Sequence, residues 1–188
     1  AVLRAIYSID DHLNFKSVTA WSEFDQPVDY DNSGQANSGT ASPIQNNLIT
    51  YKQRYATQEF QLNGEYDRFS YTLGVYLYKE RFRAERDSLT FSVAQNRVNA
   101  SGQYSTTDTE SYALYGQSNY KLTPRLSLTT GLRFTHEHKN FDYSNYAITT
   151  DRVITGTNFA AETSDSWASL SPKIGLEYAW SDNLCLLY

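Results

Sequence analysis

Three short stretches carry residue types that could bind or activate something. "DYDNSG" at 29–34 places Asp29, Asp31 and Ser33 at the spacing of a calcium loop, with Gly34 behind them. Such a loop closes with a glutamate, which would fall at position 40, where Thr40 stands. A solvated acidic loop is the better reading. "HEH" at 136–138 puts His136 and His138 on one face of an extended segment, with Glu137 opposite. Two imidazoles two residues apart can share a metal, but no third ligand is identifiable, and His12 is expected at the opposite end of the fold. The spacing is not that of a zinc hydrolase. "RFRAERD" at 81–87 is a charge run, read as a solvated face at a loop base or a contact to lipopolysaccharide.

No nucleophile elbow, phosphate loop or paired-cysteine motif occurs. Cys185 is the one cysteine in the sequence, so no internal disulfide can form. No catalytic residue, metal or cofactor is therefore assigned, and an enzyme is not expected. The net charge of -5, with no block of Lys and Arg, argues against nucleic acid. No window holds 18 consecutive apolar residues, and mean hydropathy is -0.59, so no transmembrane helix is expected. "AVLRAIYSIDDHLNF" lacks the basic start and apolar run of a signal peptide. The informative figure is an aromatic content of 15%, dominated by 16 tyrosines. Tyr favours strands and surfaces that are apolar on one side and wet on the other.

The elements that position these residues follow from period two. In "RLSLTTGLRF", Leu126, Leu128, Thr130, Leu132 and Phe134 alternate with Ser127, Thr129, Gly131 and Arg133. "SWASLSPKIGLEYAW" repeats the pattern with Leu170, Pro172, Ile174, Leu176, Tyr178 and Trp180 on one face. So do Phe69, Tyr71, Leu73, Val75 and Leu77, and so do Tyr112, Leu114 and Tyr120. "LNFKSVTAWSE" alternates poorly. Eight strands are predicted, over about 2–9, 13–23, 50–62, 68–83, 109–120, 125–138, 166–180 and 184–188. No segment holds a helical period.

Tight connections at 10–12, 63–67, 121–124 and 181–183 alternate with long polar ones at about 24–49, 84–108 and 139–165. Antiparallel strands then place every tight turn at one end and every long loop at the other. "YSNYAITTDRVITGTN", Tyr143 to Asn158, is expected in the middle of such a loop. Short turns at one end and long loops at the other are the layout of an outer-membrane barrel. Alternation alone is met equally by a soluble β-sandwich. Strand length and loop asymmetry favour the barrel, with Gly131, Arg133 and Glu137 on a wet lumen face and lipid on the other.

The strand sequences carry a resemblance. "SYALYGQSNYKLTPRLSLTTGLRFTHEHKNF" resembles the β-barrel of TonB-dependent outer-membrane receptors, with its L-x-L-T-x-G-x-R-[FY]-x-x-E strand at Leu126 to Glu137. "SWASLSPKIGLEYAWSDNLCLLY", "TQEFQLNGEYDRFSYTLGVYLYKE" and "LNFKSVTAWSEFDQPVDYD" are similar to neighbouring hairpins of that family, in family order. The end, "NLCLLY", is one residue longer than the family's usual N-L-x-L-Y.

The resemblance implies an all-β, antiparallel transmembrane wall of about eight strands within a barrel of roughly 22. It implies that residues 1–188 are part of the barrel domain, with plug domain and remaining strands elsewhere. It implies uptake of a scarce nutrient, a ferric siderophore first of all. The partners would be the TonB–ExbB–ExbD system, reached through an N-terminal region, and outer-membrane lipid and lipopolysaccharide. Arg133 and Glu137 would be charged pairs lining the wall against the plug. Cargo would meet aromatic and polar loop residues, for which Tyr30, Tyr143, Tyr146 and Arg152 are the candidates. Two other readings stay open: a small complete eight-stranded outer-membrane barrel acting as adhesin or structural protein, and a soluble carbohydrate-binding sandwich.

Overall fold

The computed structural model describes residues 1–31, 44–92, 97–181 and 184–187. They form eight strands: β1 (Val2–Ser8), β2 (Leu13–Asp31), β3 (Ile44–Glu65), β4 (Phe69–Ser92), β5 (Arg97–Thr123), β6 (Leu126–Ile148), β7 (Ile154–Ser181) and β8 (Leu184–Leu187). All belong to one antiparallel sheet in chain order. A sandwich needs two sheets, so that reading does not hold. Among the described residues β1 pairs with β2 alone and β8 with β7 alone, so the sheet is open and the eight strands do not close on one another.

The predicted strands are present with their predicted faces. Leu132 lies opposite Gly116 and Pro172, and Phe134 opposite Leu114 and Leu170. Leu114 in turn faces Val75, and Val75 faces Phe60. One face, called here the Leu132 face, is thus apolar across the sheet near the tight turns. The opposite, Arg133 face carries Gln61, Gly74, Tyr115, Arg133 and Ser171 in one row.

The long loops are a correction. Pairing continues far beyond the predicted ends, from Asp31↔Asn46 in one hairpin to Ser92↔Arg97 in the next. β5 runs for 27 residues and β7 for 28, more than twice the roughly 9–11 a bilayer crossing takes. "YSNYAITTDRVITGTN" is not a loop but the tip of a hairpin: Tyr143 to Ile148 pair with Ile154 to Ala161 around a turn at 149–153. The ladder needs only backbone donors and acceptors, so a polar sequence can extend it where neither face has to be apolar. Loss of alternation was mistaken for loss of strand.

Turn chemistry is local. The Thr123 hydroxyl oxygen accepts from the amides of Arg125 and Leu126 at 3.2 and 3.0 Å, and the Asp10 carboxylate from the His12 amide at 2.7 Å. At the 149–153 tip, Arg152 takes a left-handed backbone with φ 61°, a conformation that costs side-chain-bearing residues about 1–2 kcal/mol. The predicted turn at 63–67 shifts, because β3 runs to Glu65. The predicted turn at 181–183 falls largely outside the described residues.

Candidate functional site

Along each long strand the two faces exchange character. Near the tight turns the Leu132 face is bare and apolar: Leu132 is 50%, Leu170 62% and Ile174 79% exposed. A sheet face of that kind needs an apolar cover. From Leu126 to Phe134 it spans nine residues, about 27 Å along the strand at roughly 3.4 Å per residue and about 21 Å in height at a tilt of about 40°, near the ~25 Å apolar band of an outer-membrane barrel. Phe69, Tyr71, Tyr120, Tyr178 and Trp180 crowd its turn-side border, with Phe69–Tyr71 centroids at 5.6 Å and Tyr178–Trp180 at 6.0 Å.

Beyond His136 the same face turns charged. One row reads Glu23, Arg54, Arg81, Asp108 across β2 to β5, so two like-charged arginines sit side by side with a carboxylate outside each. Arg54 Nε donates to Glu23 at 2.7 Å, and Arg81 binds Asp108 through two parallel bonds of 2.7 and 2.9 Å. The row below pairs Lys79 with Glu110 at 2.6 Å, and above it Lys52, opposite Arg83, reaches diagonally to Glu85 at 3.5 Å. The guanidinium of Arg81 holds the Asp108 carboxyl below its usual value. "RFRAERD" is therefore no loop base: Arg81, Arg83, Glu85 and Asp87 stand on the Leu132 face, and Phe82, Ala84 and Arg86 on the other.

The Arg133 face changes in the opposite sense. Near the turns it is a polar network. The Tyr115 hydroxyl donates to Glu59 at 2.6 Å and accepts from Gln61 at 3.0 Å, and Lys173 donates to Gln117 at 3.0 Å. The Arg133 guanidinium lies 5.6 and 5.8 Å from the rings of Tyr115 and Tyr76, in cation–π range. Gly74 makes this possible, since a Cβ there would collide with the Tyr115 ring. Glu137 pairs with Lys139 of its own strand at 2.9 Å. Above, the same face becomes aromatic: Tyr55–Tyr78 and Tyr51–Phe82 stack at 6.2 and 6.1 Å, and Tyr143 meets Phe159 at 6.2 Å.

The four sequence candidates divide between the faces. Tyr30, opposite Asn47, and Tyr143, opposite Ser105, stand on the Arg133 face. Tyr146 stands on the other, 5.2 Å from Tyr104. Arg152 reaches Asp87 on that same side at 3.7 Å, and Asp87 accepts from the Tyr104 hydroxyl at 3.2 Å. Burial first, then the Asp87 charge, pushes the Tyr104 phenol up. Sequence reasoning missed Tyr51, Tyr55, Tyr78 and Phe82; their alternation with charged neighbours was the available signal.

Metal readings gain nothing. His136 stacks on Tyr112 at 5.0 Å, His138 shares a 2.7 Å bond with Ser166, and His12 bonds the Glu65 carbonyl at 3.0 Å at the far end. Asp29 accepts from Asn46 at 2.8 Å, while Ser33, Gly34 and Thr40 lie outside the described residues. Among the described residues no cluster of three metal-ligating side chains occurs.

Comparison with known proteins agrees with this layout. The fold is similar to the ferric yersiniabactin uptake receptor FyuA of Yersinia pestis, at 19% identity and a TM-score of 0.62 over 96% of this chain and 25% of that one. It is similar to the ferric-catecholate import receptor Fiu of E. coli K12 in its open form, at 15% identity and 0.67 over 97% and 33%. It is similar also to the siderophore receptor PiuA of Acinetobacter baumannii, at 12% identity and 0.66 over 97% and 30%. The chain thus spans a quarter to a third of the length of these receptors. No curated protein matches it in sequence. The family described as TonB dependent receptor-like, beta-barrel, matches residues 2–188, and the chain belongs to that family of β-barrel receptors.

Proposed function

We propose that the chain is a wall segment of an outer-membrane receptor that takes up a scarce nutrient, first of all a ferric siderophore, driven by the TonB complex. The observation that carries this reading is the exchange of character between the two faces partway along each strand. An apolar band of bilayer height fits lipid on the Leu132 face. The polar Arg133 face behind it fits a wet lumen partly filled by a plug that other parts of the receptor supply. Above the band, inward aromatic rings fit a vestibule that holds a bulky ligand with apolar or aromatic faces, and the outward ion lattice fits lipopolysaccharide headgroups. Nothing in this arrangement calls for a catalytic role.

In this reading Tyr30 and Tyr143 meet cargo directly. Tyr146 and Arg152 act on the outward side, fixing the hairpin tip to Asp87 and Tyr104. The test is uptake of radiolabelled iron by iron-starved cells carrying the complete receptor, with and without TonB. Accumulation from at least one ferric siderophore that vanishes without TonB is the expected result. Iron accumulation equal to that of receptor-free cells with every ferric siderophore tried would overturn the iron reading.

A further inference from the structure

The tip of the β6–β7 hairpin does not stand free. Its turn is closed locally: the Thr149 amide donates to the Val153 carbonyl at 2.9 Å, and the Thr149 hydroxyl accepts from the Val153 amide at 3.1 Å. The tip then reaches sideways across β5 to β4. Arg152 Nε lies 3.7 Å from Asp87 Oδ2, and Asp87 pairs with Gly102 of β5, which pairs with Tyr146 of β6. Gly102 is the seat of this contact. A Cβ there would come within 3.3 Å of Ile148 Cγ2 and 3.4 Å of both Asp87 Oδ1 and the Tyr104 hydroxyl. Ile148, packed over the seat, is buried.

The anchor differs from every pair in the ion lattice below it. Arg81 makes two hydrogen bonds to Asp108, at 2.7 and 2.9 Å. Arg152 Nε is buried with no hydrogen-bond partner among the described residues, and 3.7 Å is a charge contact too long to be a hydrogen bond. Arg152 also holds the left-handed backbone of φ 61°. An orphaned buried donor and a strained residue both raise the energy of the docked tip. Lifting the tip lets water reach Nε and lets the turn relax. A pivot lies at its base. The β6–β7 ladder shifts register between Asn145 and Tyr146 and again between Ala147 and Ile148, and such irregularities bend a strand pair. The β5–β6 ladder ends at Ser101↔Ala147. Past that row, among the described residues, side chains alone tie the tip to β4 and β5.

We propose that Arg152, Asp87, Tyr104 and Gly102 form a releasable strap, which when closed holds the β6–β7 tip against the outer flank of β4 and β5, and when open lets the tip pivot at Asn145–Ile148. The anchor stands on the Leu132 face, whereas the stacked rings of Tyr51 and Phe82 stand on the Arg133 face. The closed strap therefore keeps this tip on the opposite side of the sheet from the aromatic rings. The device belongs to the wall itself and does not depend on the identity of any cargo.

The experiment uses the complete receptor in lipid vesicles, with Cys185→Ser and any further cysteine replaced likewise. Nitroxide labels go on Val153→Cys, at an exposed position of the tip, and on Thr106→Cys, on the outward face of β5 opposite Arg83. The distance between them is read by pulsed electron paramagnetic resonance. The parent should show one dominant short distance. Asp87→Asn should raise the ratio of long to short distances by about 3- to 10-fold, the range of one partly exposed ion pair. Gly102→Val should raise it at least as far with every charge in place, because its side chain wedges the seat open. Asp108→Asn, the same change within the lattice, should leave the distribution as in the parent. One unchanged short distance in both strap variants would overturn the strap, since the tip would then be held by its own backbone. A broad distribution already present in the parent would overturn it too, as would an equal shift in Asp108→Asn.

Discussion

The lower and upper halves of the same strands obey opposite rules. Below His136 the outward face is apolar and bare while the inward face is a bonded polar network. Above it the outward face is an ion lattice while the inward face is stacked aromatic rings. The ladders joining β4, β5 and β6 cross the boundary between the halves without a register shift. Solvent changes. A strand in hydrocarbon must show apolar side chains outward, whereas one standing above the bilayer is free to place its aromatics where a ligand can use them. Amphipathicity is thus a record of surroundings rather than a property of the strand.

The sharpest way to break this contrast is to place the same charge in both halves. Leu132→Arg sits near the middle of the apolar band and should cost about 2–4 kcal/mol, read from urea unfolding of the complete receptor in lipid vesicles. Asn140→Arg, on the same face of the same strand but beside Asp108, should change stability by no more than about 0.5 kcal/mol. Equal costs would show that the boundary is misplaced. Next in size is Gly74→Ala, whose methyl displaces the Tyr115 ring from Glu59 and Arg133. It should cost about 1–3 kcal/mol, with most of that recovered in the Gly74→Ala, Tyr115→Ala double variant.

At the outer tip, Arg152→Gly should be more stable than Arg152→Ala by about 1 kcal/mol, because only glycine adopts φ 61° without strain. The two substitutions lose the same contact to Asp87, so their difference in melting temperature isolates the backbone term. The smallest effect is expected at Asp108→Asn, where a partly exposed pair contributes about 1 kcal/mol or less. Arg81 depresses the folded Asp108 pKa. Its contribution is therefore fully present above the unfolded value and is lost as pH falls through the folded one. The variant and the parent should converge in stability at acid pH, below about 4, and diverge at neutral pH.

The lower half was legible in the sequence and the upper half was not. Leu126 to Phe134, Leu170 to Trp180 and Phe69 to Leu77 alternate because lipid on one side and water on the other enforce period two. Over Phe141 to Ile148 both sides are wet, so no face is required to be apolar, and the strand is invisible to periodicity although its ladder is intact. Tyr143 and Tyr146 differ in parity, so they fall on opposite faces once β6 is known to run on to Ile148. What the sequence hid was that the strand continues there, paired with β5 in an unbroken register. Asp87 gave no sign of its part in the strap, since its partner Arg152 lies on another hairpin.

The strand order has a kinetic corollary. Among the described residues every ladder joins neighbours in the chain, with no strand reaching past the next. Such a sheet can form by zippering, each hairpin presenting a finished edge as template for the one after it, so the entropy of closing long loops is never met all at once. A defect then acts as a roadblock rather than a weak spot: a hairpin that fails to pair withholds the template from everything downstream, while what lies upstream is already in place. Substitutions of equal thermodynamic cost would differ in yield of folded receptor according to their position along that order.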